Sequence, residues 1–383
     1  MKGLVIVPGG FEDIGALELT ELIGAKAPQV EDSCLLFDIK KIEDLCLLCY
    51  TAQSVEKVLL LIDNFQFKDY KDFEQKISGS IKKIDSKKWL GKTVAFRVST
   101  KKIGSDLSSE EVSARVGELI IESIKTYKQK VDLDNPDITF LVFINKDQAY
   151  LGIDFSGRDL HKREYKIFTH HSALRPTIAY SLIRLAGYSN KKKLLDPFCC
   201  SGEIAIETAL FQSNYSPNFY SKDKFAFLKF KPLKKTDFAK LLGKQDKKIL
   251  KIKKADVMCF DSNMLNLNAA KKNAKIAGIN KLIDFSRKDT EWLDTKLGKE
   301  SVDLIVTHPP ESSKVIGEKD IEKVYNEFFY QAEFIVKKEG KVAVILTKSD
   351  LIKKAAAKYN FKPVHERKVY SGKAELSVVI LKR

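Results

Sequence analysis

The stretch Leu194-Leu195-Asp196-Pro197-Phe198-Cys199-Cys200-Ser201-Gly202-Glu203-Ile204 decides the fold of the second half of this chain. It runs from a short apolar strand through an acidic residue and a tight loop into a helix. This order places backbone N–H groups and a helix N-terminus around a small ligand. The loop lacks the Gly-Lys-Ser/Thr ending and the three-glycine spacing of phosphate-binding loops, and Asp196 would repel phosphate. Taken alone, the stretch predicts either a site for a ligand with a cationic amino group or an ordinary strand-to-helix turn.

Repeated strand–helix units follow this loop. Val257–Phe260 is a predicted strand before a helix over Asn266–Ala277, and Leu304–Val306 and Val342–Leu346 are further strands. Such alternation predicts an α/β fold with an open, mostly parallel, Rossmann-like sheet. The pattern over residues 365–381 predicts an antiparallel hairpin at one edge of that sheet.

The first half of the chain predicts two smaller α+β units. Residues 1–62 mix short strands and helices, and residues 63–166 include a β-hairpin that turns at Asn145–Asp147. Three consecutive domains are therefore expected, over residues 1–62, 63–166 and 167–383. The lysine-dense segment Lys229–Lys254 interrupts the third domain and predicts an excursion between its first helix and its second strand.

The charge balance favours a polyanionic partner. The 383 residues include 67 Lys and Arg against 51 Asp and Glu, a net charge of +16, and 44% of them are hydrophobic. Neutralising phosphates releases counterions, so nucleic acid is the first expected partner, with an anionic membrane surface or plain solubility as alternatives. No apolar run approaches the roughly 18–20 residues that span a bilayer, so we expect no membrane anchor.

Six sparse cysteines and five histidines predict no metal site. Cys46 and Cys49 have a ligand-like spacing, but no second pair completes a tetrahedral site. We therefore expect a reduced, cytoplasmic protein without a structural disulfide or metal, and a monomer or weak oligomer.

Three acidic residues and one two-proline motif follow successive strands. Asp196, Asp261 and Asp289 come at or just after strand ends. Carboxylates there suit the amino group, the ribose hydroxyls and the adenine amino group of an adenosyl ligand. In Thr307-His308-Pro309-Pro310-Glu311, a polar residue before two prolines holds a side-chain acceptor and a backbone carbonyl rigidly.

With these motifs in this order, the chain resembles the THUMP-domain RNA methyltransferases, which transfer a methyl group from S-adenosylmethionine to the exocyclic N2 of guanosine in tRNA. The likeness lies in residues 1–60, in Val131–Asp137 with Tyr150–Arg163, and in Thr169–Pro176 with Asp196–Glu207. It implies a ferredoxin-like N-terminal domain, a THUMP domain and a Rossmann-like catalytic domain. It also implies S-adenosylmethionine as cofactor and tRNA as partner, and the size of the chain is similar to that of the enzymes acting on the acceptor stem.

The resemblance implies three sets of site residues. The cofactor site comprises a loop and two later strand ends: Asp196, Phe198, Cys200 and Gly202 in the loop, Asp261 for the ribose and Asp289 for the adenine. The catalytic tetrapeptide comprises His308, Pro309, Pro310 and Glu311. The RNA-binding face comprises Arg97, Lys101, Lys102, Arg158, Lys162 and Arg163. Each of these charges, taken singly, is also typical of a solvated surface.

Two motifs depart from the family's usual form. Asn or Asp, Pro, Pro, then Tyr or Phe becomes His308-Pro309-Pro310-Glu311, and Cys-Gly-Ser-Gly-Thr becomes Cys199-Cys200-Ser201-Gly202-Glu203. A neutral His308 still supplies one acceptor and Pro309 keeps its carbonyl, but Glu311 cannot stack on a base. The second cysteine puts a side chain where backbone usually approaches the ligand closely.

Three functions are compatible with these motifs. An active tRNA guanine-N2 methyltransferase is the leading hypothesis, and a non-catalytic tRNA-binding protein or partner subunit with the same fold is the alternative. Methylation of adenine or of a protein glutamine would use a similar two-proline motif, but it would leave the THUMP-like unit without a purpose.

Overall fold

The computed structural model describes residues 1–91, 94–124, 130–252 and 256–383. The chain divides into two compact units. The first contains Met1–Val7, Ala16–Leu160 and Ser221–Gln245, and the second contains Pro8–Gly15, His161–Tyr220 and Asp246–Arg383. Lys253 and Lys254 of the predicted excursion lie outside the described residues.

Fifteen strands run through the described ranges: β1 (Lys2–Ile6), β2 (Gln29–Glu31), β3 (Cys34–Asp38), β4 (Lys57–Gln66), β5 (Ala95–Ile103), β6 (Lys130–Val131), β7 (Ile138–Asn145), β8 (Gln148–Asp154), β9 (Leu194–Asp196), β10 (Val257–Asp261), β11 (Ile283–Arg287), β12 (Val302–Thr307), β13 (Val336–Leu346), β14 (Lys362–Ser371) and β15 (Ala374–Lys382). The same ranges contain eleven α-helices: α1 (Glu12–Ile23), α2 (Glu43–Thr51), α3 (Tyr70–Ile81), α4 (Ser86–Trp89), α5 (Ser109–Ser123), α6 (Pro176–Leu185), α7 (Glu203–Ser213), α8 (Phe238–Asp246), α9 (Met264–Ile276), α10 (Glu318–Ile335) and α11 (Asp350–Ala357). None of these helices is both long enough and apolar enough to cross a membrane.

Eight strands form the sheet of the first unit, in the order β2-β3-β1-β4-β8-β7-β5-β6. The strands β7 and β8 are antiparallel, as expected for the hairpin at Asn145–Asp147. Helix α5 begins where the sequence places a cap, because the Ser108 side chain accepts a hydrogen bond from the N–H of Glu111. Its buried residues include Val112 and Val116, which are one helical turn apart and give the helix one apolar face.

Strand β4 joins the two N-terminal segments that the sequence separated. The boundary expected between residues 62 and 63 lies inside β4, which pairs with β1 on one side and with β8 on the other. Part of the excursion, residues 229–245, belongs to this unit together with residues 221–228, and Phe225, Phe227 and Phe230 are buried in its core, whereas residues 246–252 belong to the second unit. The three expected domains therefore differ from the two compact units. The difference arises from sheet pairing between segments that are far apart in the chain.

Seven strands form the sheet of the second unit, in the order β11-β10-β9-β12-β13-β15-β14. The first five are parallel to their neighbours, whereas β15 is antiparallel to β13 and β14 is antiparallel to β15. This topology confirms the predicted α/β fold, with a Rossmann-like, mostly parallel sheet and a C-terminal antiparallel hairpin. The chain order reverses between β9 and β12, and such a reversal opens a crevice for ligands at the carboxyl ends of the strands.

Successive residues of the central strands point to opposite faces of this sheet. Leu194 and Leu304 lie in a core shared with α6, α7 and α9. Leu195 and Ile305 lie in a second core shared with α10 and α11. Helices pack on both faces of the central strands, so the strand ends from which the site loops begin are held in place.

Candidate active site

The carboxyl group of Asp196 lies at the end of β9, in the crevice of the second unit. It is 1% exposed, and burial raises the pKa of Asp196 to about 8. Its Oδ1 accepts hydrogen bonds from the Thr307 hydroxyl at 2.7 Å and from the Phe198 N–H at 3.3 Å. Among the described residues no group donates to Oδ2, so this oxygen can receive a donor from a ligand. A cationic amino group is the donor that compensates a buried carboxylate best.

Two residues of the following loop have left-handed backbone. Cys200 has φ 47° and Gly202 has φ 88°. A Cβ at Gly202 would lie 2.8 Å from Cβ of Ala270 in α9, so glycine is required there for packing as well as for conformation. Cys200 adopts a conformation that a glycine adopts without strain, and its side chain lines the same cavity as Asp196. Burial raises the pKa of the Cys200 thiol, which therefore stays uncharged.

Asp261 ends β10 and is tied to the loop after β9. Its Oδ2 accepts a hydrogen bond from the Cys200 N–H at 3.0 Å, and its Oδ1 accepts one from the Asn263 N–H at 2.8 Å. The Asn266 amide contacts both oxygens at 3.3 Å. Burial raises the pKa of Asp261. The carboxylate thus joins two strand ends and stands where the sequence placed a ribose acceptor.

Two cavities lie along this row of strand ends. The first is small and is lined by residues that include Asp196, Phe198 and His308. The second is an open groove whose lining includes Asp289 and Trp292. The acceptors are a buried carboxylate and two further strand-end carboxylates, which match the amino group, ribose hydroxyls and adenine amino group of S-adenosylmethionine. The residues present therefore fit this cofactor in chemistry and in order.

His308 follows β12 and presents one nitrogen as an acceptor. Its Nδ1 lies 2.9 Å from the backbone carbonyl of Ser172. A carbonyl only accepts, so Nδ1 carries the hydrogen and the neutral ring keeps its lone pair at Nε2. Burial lowers the pKa of His308, which favours this neutral form. His308 can therefore offer Nε2 as an acceptor, and its use by a substrate stays a prediction.

The two prolines of the tetrapeptide present their carbonyls differently. The Pro310 carbonyl accepts a hydrogen bond from the Tyr325 hydroxyl at 2.7 Å. No donor from the described residues reaches the carbonyl of Pro309, so a substrate can use it. His308 and Pro309 therefore offer two adjacent acceptors.

Glu311 is anchored to the loop after β13. Its carboxylate accepts hydrogen bonds from the Thr347 N–H at 2.9 and 3.0 Å, from the Lys348 N–H at 3.2 Å and from the Thr347 hydroxyl. Its Oε1 lies 3.9 Å from Nε2 of His308. The residue that replaces an aromatic ring in the resembling family thus binds the loop after β13 and carries a charge beside His308.

Glu203, the second departure in the cofactor loop, has its own partners. The Ser201 hydroxyl donates to Oε1 of Glu203 at 2.8 Å, and the Lys166 ammonium lies 3.2 Å from the same atom. The acidic residue also stands in the first turn of α7, where the helix dipole favours a negative charge. Lys166 and Ser201 therefore give the Glu203 carboxylate one charged and one neutral donor.

A segment before α6 contacts the site, and its individual contacts were not predicted from the sequence. Asn273 of α9 bonds the backbone of Phe168 through both amide atoms, at 3.0 and 2.8 Å, and its Nδ2 also donates to the Ser201 carbonyl at 3.0 Å. Ser172 in this segment holds His308. These partners lie about 70 to 140 residues apart in the chain, so no spacing rule reveals them.

The basic residues expected to bind RNA have different surroundings. Arg163 is 4% exposed, and its Nε donates to Glu207 at 3.1 Å. A guanidinium that is buried in an ion pair cannot reach a phosphate. The prediction that Arg163 binds RNA is therefore wrong. Lys162 beside it is exposed.

The other four members of that set lie in the first unit. Arg97 bonds Thr139 and the Leu133 carbonyl, Lys101 pairs with Glu56 at 2.7 Å, Lys102 bonds the Leu107 carbonyl, and Arg158 bonds Ser221 at 2.8 Å. Each side chain has at least one intramolecular partner, and Lys102 is exposed to solvent, where a polyanion can reach its ammonium group. Throughout the described ranges, no three His, Cys, Asp or Glu side chains cluster as a metal site would require.

The strand order, the acidic strand ends and the two free acceptors after β12 define the class of Rossmann-like S-adenosylmethionine-dependent methyltransferases. Family comparison agrees with this class. Residues 163–376, more than half of the chain, match the RMKL-like methyltransferase domain, and residues 70–154 match the THUMP domain. The chain therefore belongs to the RMKL-like methyltransferases and carries a THUMP domain, as the sequence motifs predicted.

Individual relatives match nearly the whole chain. The tRNA (guanine(6)-N2)-methyltransferase of Methanocaldococcus jannaschii is 29% identical over 97% of this chain and 97% of its own length. The enzyme of the same name from Archaeoglobus fulgidus is 27% identical over 95% of this chain and 87% of its own. The crystal structure of SMU.472 complexed with SAH has a TM-score of 0.83 at 20% identity, covering 100% of this chain and 97% of that one. This last likeness supports the fold.

Proposed function

We propose that this protein methylates the exocyclic N2 of a guanosine in the acceptor stem of tRNA, with S-adenosylmethionine as the methyl donor. The observation that carries the proposal is the pair of acceptors left open by His308 and Pro309 beside the Asp196 cavity. An exocyclic amino group has two hydrogens to donate, and two acceptors fix its nitrogen with the lone pair free. The full-length likeness to relatives named for guanine 6 of tRNA supports this substrate.

Each strand end has a part in this reaction. Asp196 would bind the cofactor's amino group, Asp261 its ribose and Asp289 its adenine. The bound cofactor supplies an electrophilic methyl group on a sulfonium sulfur. The Thr307 hydroxyl, which bonds Asp196 at 2.7 Å, links the cofactor loop to the residue that precedes His308. The bond between Thr307 and Asp196 therefore holds the acceptors at His308 and Pro309 next to the proposed methyl-donor site.

The remaining modules would bring the tRNA to this site. Residues 1–62 and the THUMP domain over residues 63–166 would hold the tRNA, through Arg97, Lys101, Lys102 and Arg158 together with Lys162. Phosphate contacts of this kind position a nucleic acid without reading its sequence. The target base would then leave its stack to reach His308 and Pro309. We place the reaction in the cytoplasm and expect a monomer or weak oligomer.

One observation favours the alternative of a tRNA-binding protein without catalysis. Cys200 places a side chain in the cofactor cavity, at φ 47°, where the family usually has glycine. Calorimetric titration with S-adenosylmethionine and transfer of labelled methyl groups into unmodified tRNA test both functions. Micromolar binding with incorporation supports the enzyme, whereas tRNA binding without cofactor binding supports the alternative.

A further inference from the structure

The two unusual residues of the tetrapeptide face each other. Oε1 of Glu311 lies 3.9 Å from Nε2 of His308, and the side chains are 24% and 17% exposed. Donors from Thr347 and Lys348 hold the Glu311 carboxylate in this position. A fixed negative charge therefore stands beside the free nitrogen of the imidazole.

The His308 ring beside Glu311 can take up a proton as well as accept a hydrogen bond. Because Nδ1 gives its hydrogen to the Ser172 carbonyl, the neutral His308 ring has its lone pair at Nε2, where the Glu311 charge attracts a proton. The asparagine amide oxygen, one of the two acceptors that the resembling family uses at this position, accepts a hydrogen bond but takes no proton at neutral pH. An imidazole with a neighbouring carboxylate can take it.

We propose that His308 is the base that removes a proton from the target amino group, and that Glu311 stabilises the imidazolium that results. The inference rests on the proposed function. In this step the amino nitrogen forms a bond to the methyl carbon, the carbon–sulfur bond breaks, and the sulfur keeps its electron pair. One N–H bond of the amino group breaks and its proton moves to Nε2 of His308, from which it passes to solvent. Glu311 acts through His308 and is a positioning residue.

The charges around His308 keep its ring neutral at physiological pH. Burial lowers the pKa of His308, the Glu311 carboxylate and the bond to Ser172 raise it by less, and the charge of His170 lowers it. The balance is a pKa below the usual value. The ring is therefore a free base near pH 7 and becomes protonated as the pH falls.

Three further titratable groups line the cavity that His308 shares. They are the carboxyl groups of Asp196 and Glu203 and the thiol of Cys200. Burial raises the pKa of Asp196 to about 8, and it raises the pKa of the Cys200 thiol. Asp196 therefore ionises on the alkaline side of neutrality, whereas His308 ionises on the acidic side. A pH profile separates the two groups.

The first test is the pH dependence of a single turnover with saturating cofactor and tRNA between about pH 5 and 8.5. In the wild-type protein the rate falls about tenfold per pH unit below the pKa of His308, because only the neutral ring is a base. We call this part of the pH profile the acidic limb. The substitution His308→Asn, which keeps an acceptor, removes this acidic limb. Glu311→Gln moves the limb to lower pH, since a charge that favoured the imidazolium is gone. Glu318→Gln is the matched control, an exposed carboxylate in the first turn of α10, and leaves the limb in place.

The outcomes separate the inference from the proposed function. An acidic limb that is unchanged in His308→Asn, with methylation still detected, overturns the base and leaves the function standing. Absence of methylation with every tRNA tried overturns the function and the base together.

A second measurement is independent of turnover. Nitrogen NMR of the full chain with labelled histidine reports the tautomer of each ring, and the His308→Asn spectrum identifies the signal of His308. We expect a neutral ring with hydrogen on Nδ1 and a titration midpoint that falls in Glu311→Gln. Hydrogen on Nε2 instead, or a midpoint that does not respond to Glu311, overturns the proposal.

Discussion

The backbone N–H of Cys200 donates a 3.0 Å hydrogen bond to Oδ2 of Asp261. This bond joins the loops after β9 and β10, which are the two loops between which a cofactor would lie. Cys200 makes this contact with left-handed backbone, at φ 47°. The contact therefore explains why a strained non-glycine residue is held in this conformation.

Replacing Cys200 with glycine should relieve the strain and open the cavity. A side chain in the left-handed region costs about 1–2 kcal/mol. Glycine relieves this strain, but the greater entropy of glycine in the unfolded chain offsets about 0.5–1 kcal/mol of the gain. We expect Cys200→Gly to raise the free energy of unfolding by about 0.5–1 kcal/mol and to tighten cofactor binding. Lys146→Gly, also at positive φ but in the β7–β8 hairpin, is the control that changes stability alone. Weaker cofactor binding in Cys200→Gly would contradict this interpretation.

Asp196 should make the stability of the protein depend on pH. Because burial raises the pKa of Asp196 to about 8, the folded protein binds a proton there that the unfolded chain releases near pH 4. The stabilising contribution of this proton is full below pH 4 and is lost as the pH rises toward 8. Urea denaturation should therefore show wild type losing stability relative to Asp196→Asn between about pH 4 and 8. A constant difference between the two proteins would contradict the raised pKa.

Thr307→Val should disturb Asp196 without changing the volume of the core. The substitution removes the hydroxyl that donates to Oδ1 at 2.7 Å and leaves a buried acceptor with one fewer partner, which costs about 1–3 kcal/mol. That hydrogen bond lowers the pKa of Asp196, so its loss raises this pKa further. Calorimetry should show cofactor affinity reduced at pH 7 and partly recovered at higher pH, with Thr208→Val in α7 as a buried threonine control. An equal loss of affinity at every pH would assign the effect to packing.

The Lys166–Glu203 pair should couple strongly in a double-mutant cycle. The two side chains are 17% and 3% exposed and lie 3.2 Å apart. Removing one of them leaves the other as a largely buried charge without its ion-pair partner. We expect a coupling free energy of about 1–3 kcal/mol between Lys166→Met and Glu203→Gln in urea denaturation. The exposed pair Lys382 and Glu339 is the control and should couple far less. A Lys166–Glu203 coupling no larger than that of the control would show that Glu203 is merely tolerated.

The lysines of the first unit should contribute to tRNA binding through charge alone. Lys102→Ala should weaken binding equally for all tRNAs and reduce the dependence of log Kd on log salt by about 0.9. Filter binding at several salt concentrations measures this slope, and Lys299→Ala on the second unit is a charge-matched control. An unchanged slope in Lys102→Ala would remove this residue from the proposed RNA-binding face.

The sequence predicted the parts of the site that lie within one strand and its loop. Asp196, Asp261 and His308 all occupy strand ends, because a strand followed by a polar turn and a helix is a local pattern. The partners of these residues were not predictable in the same way. Thr347 anchors Glu311 and Ser172 fixes His308 from loops 36 and 136 residues away in the chain. The pairing of β4 with β8, and the burial of Arg163 against Glu207, are likewise products of tertiary packing.

The identity of the nucleoside formed tests the proposed function most directly. Unmodified tRNA is incubated with the protein and S-adenosylmethionine, digested to nucleosides and analysed by mass spectrometry, with His308→Ala as the control. We predict N2-methylguanosine from an acceptor-stem fragment with the wild-type protein and at least a 100-fold slower appearance with His308→Ala, about the contribution of one positioned acid–base group. Methylated adenine, or no methylated nucleoside while the protein binds both tRNA and cofactor, would contradict the proposed function.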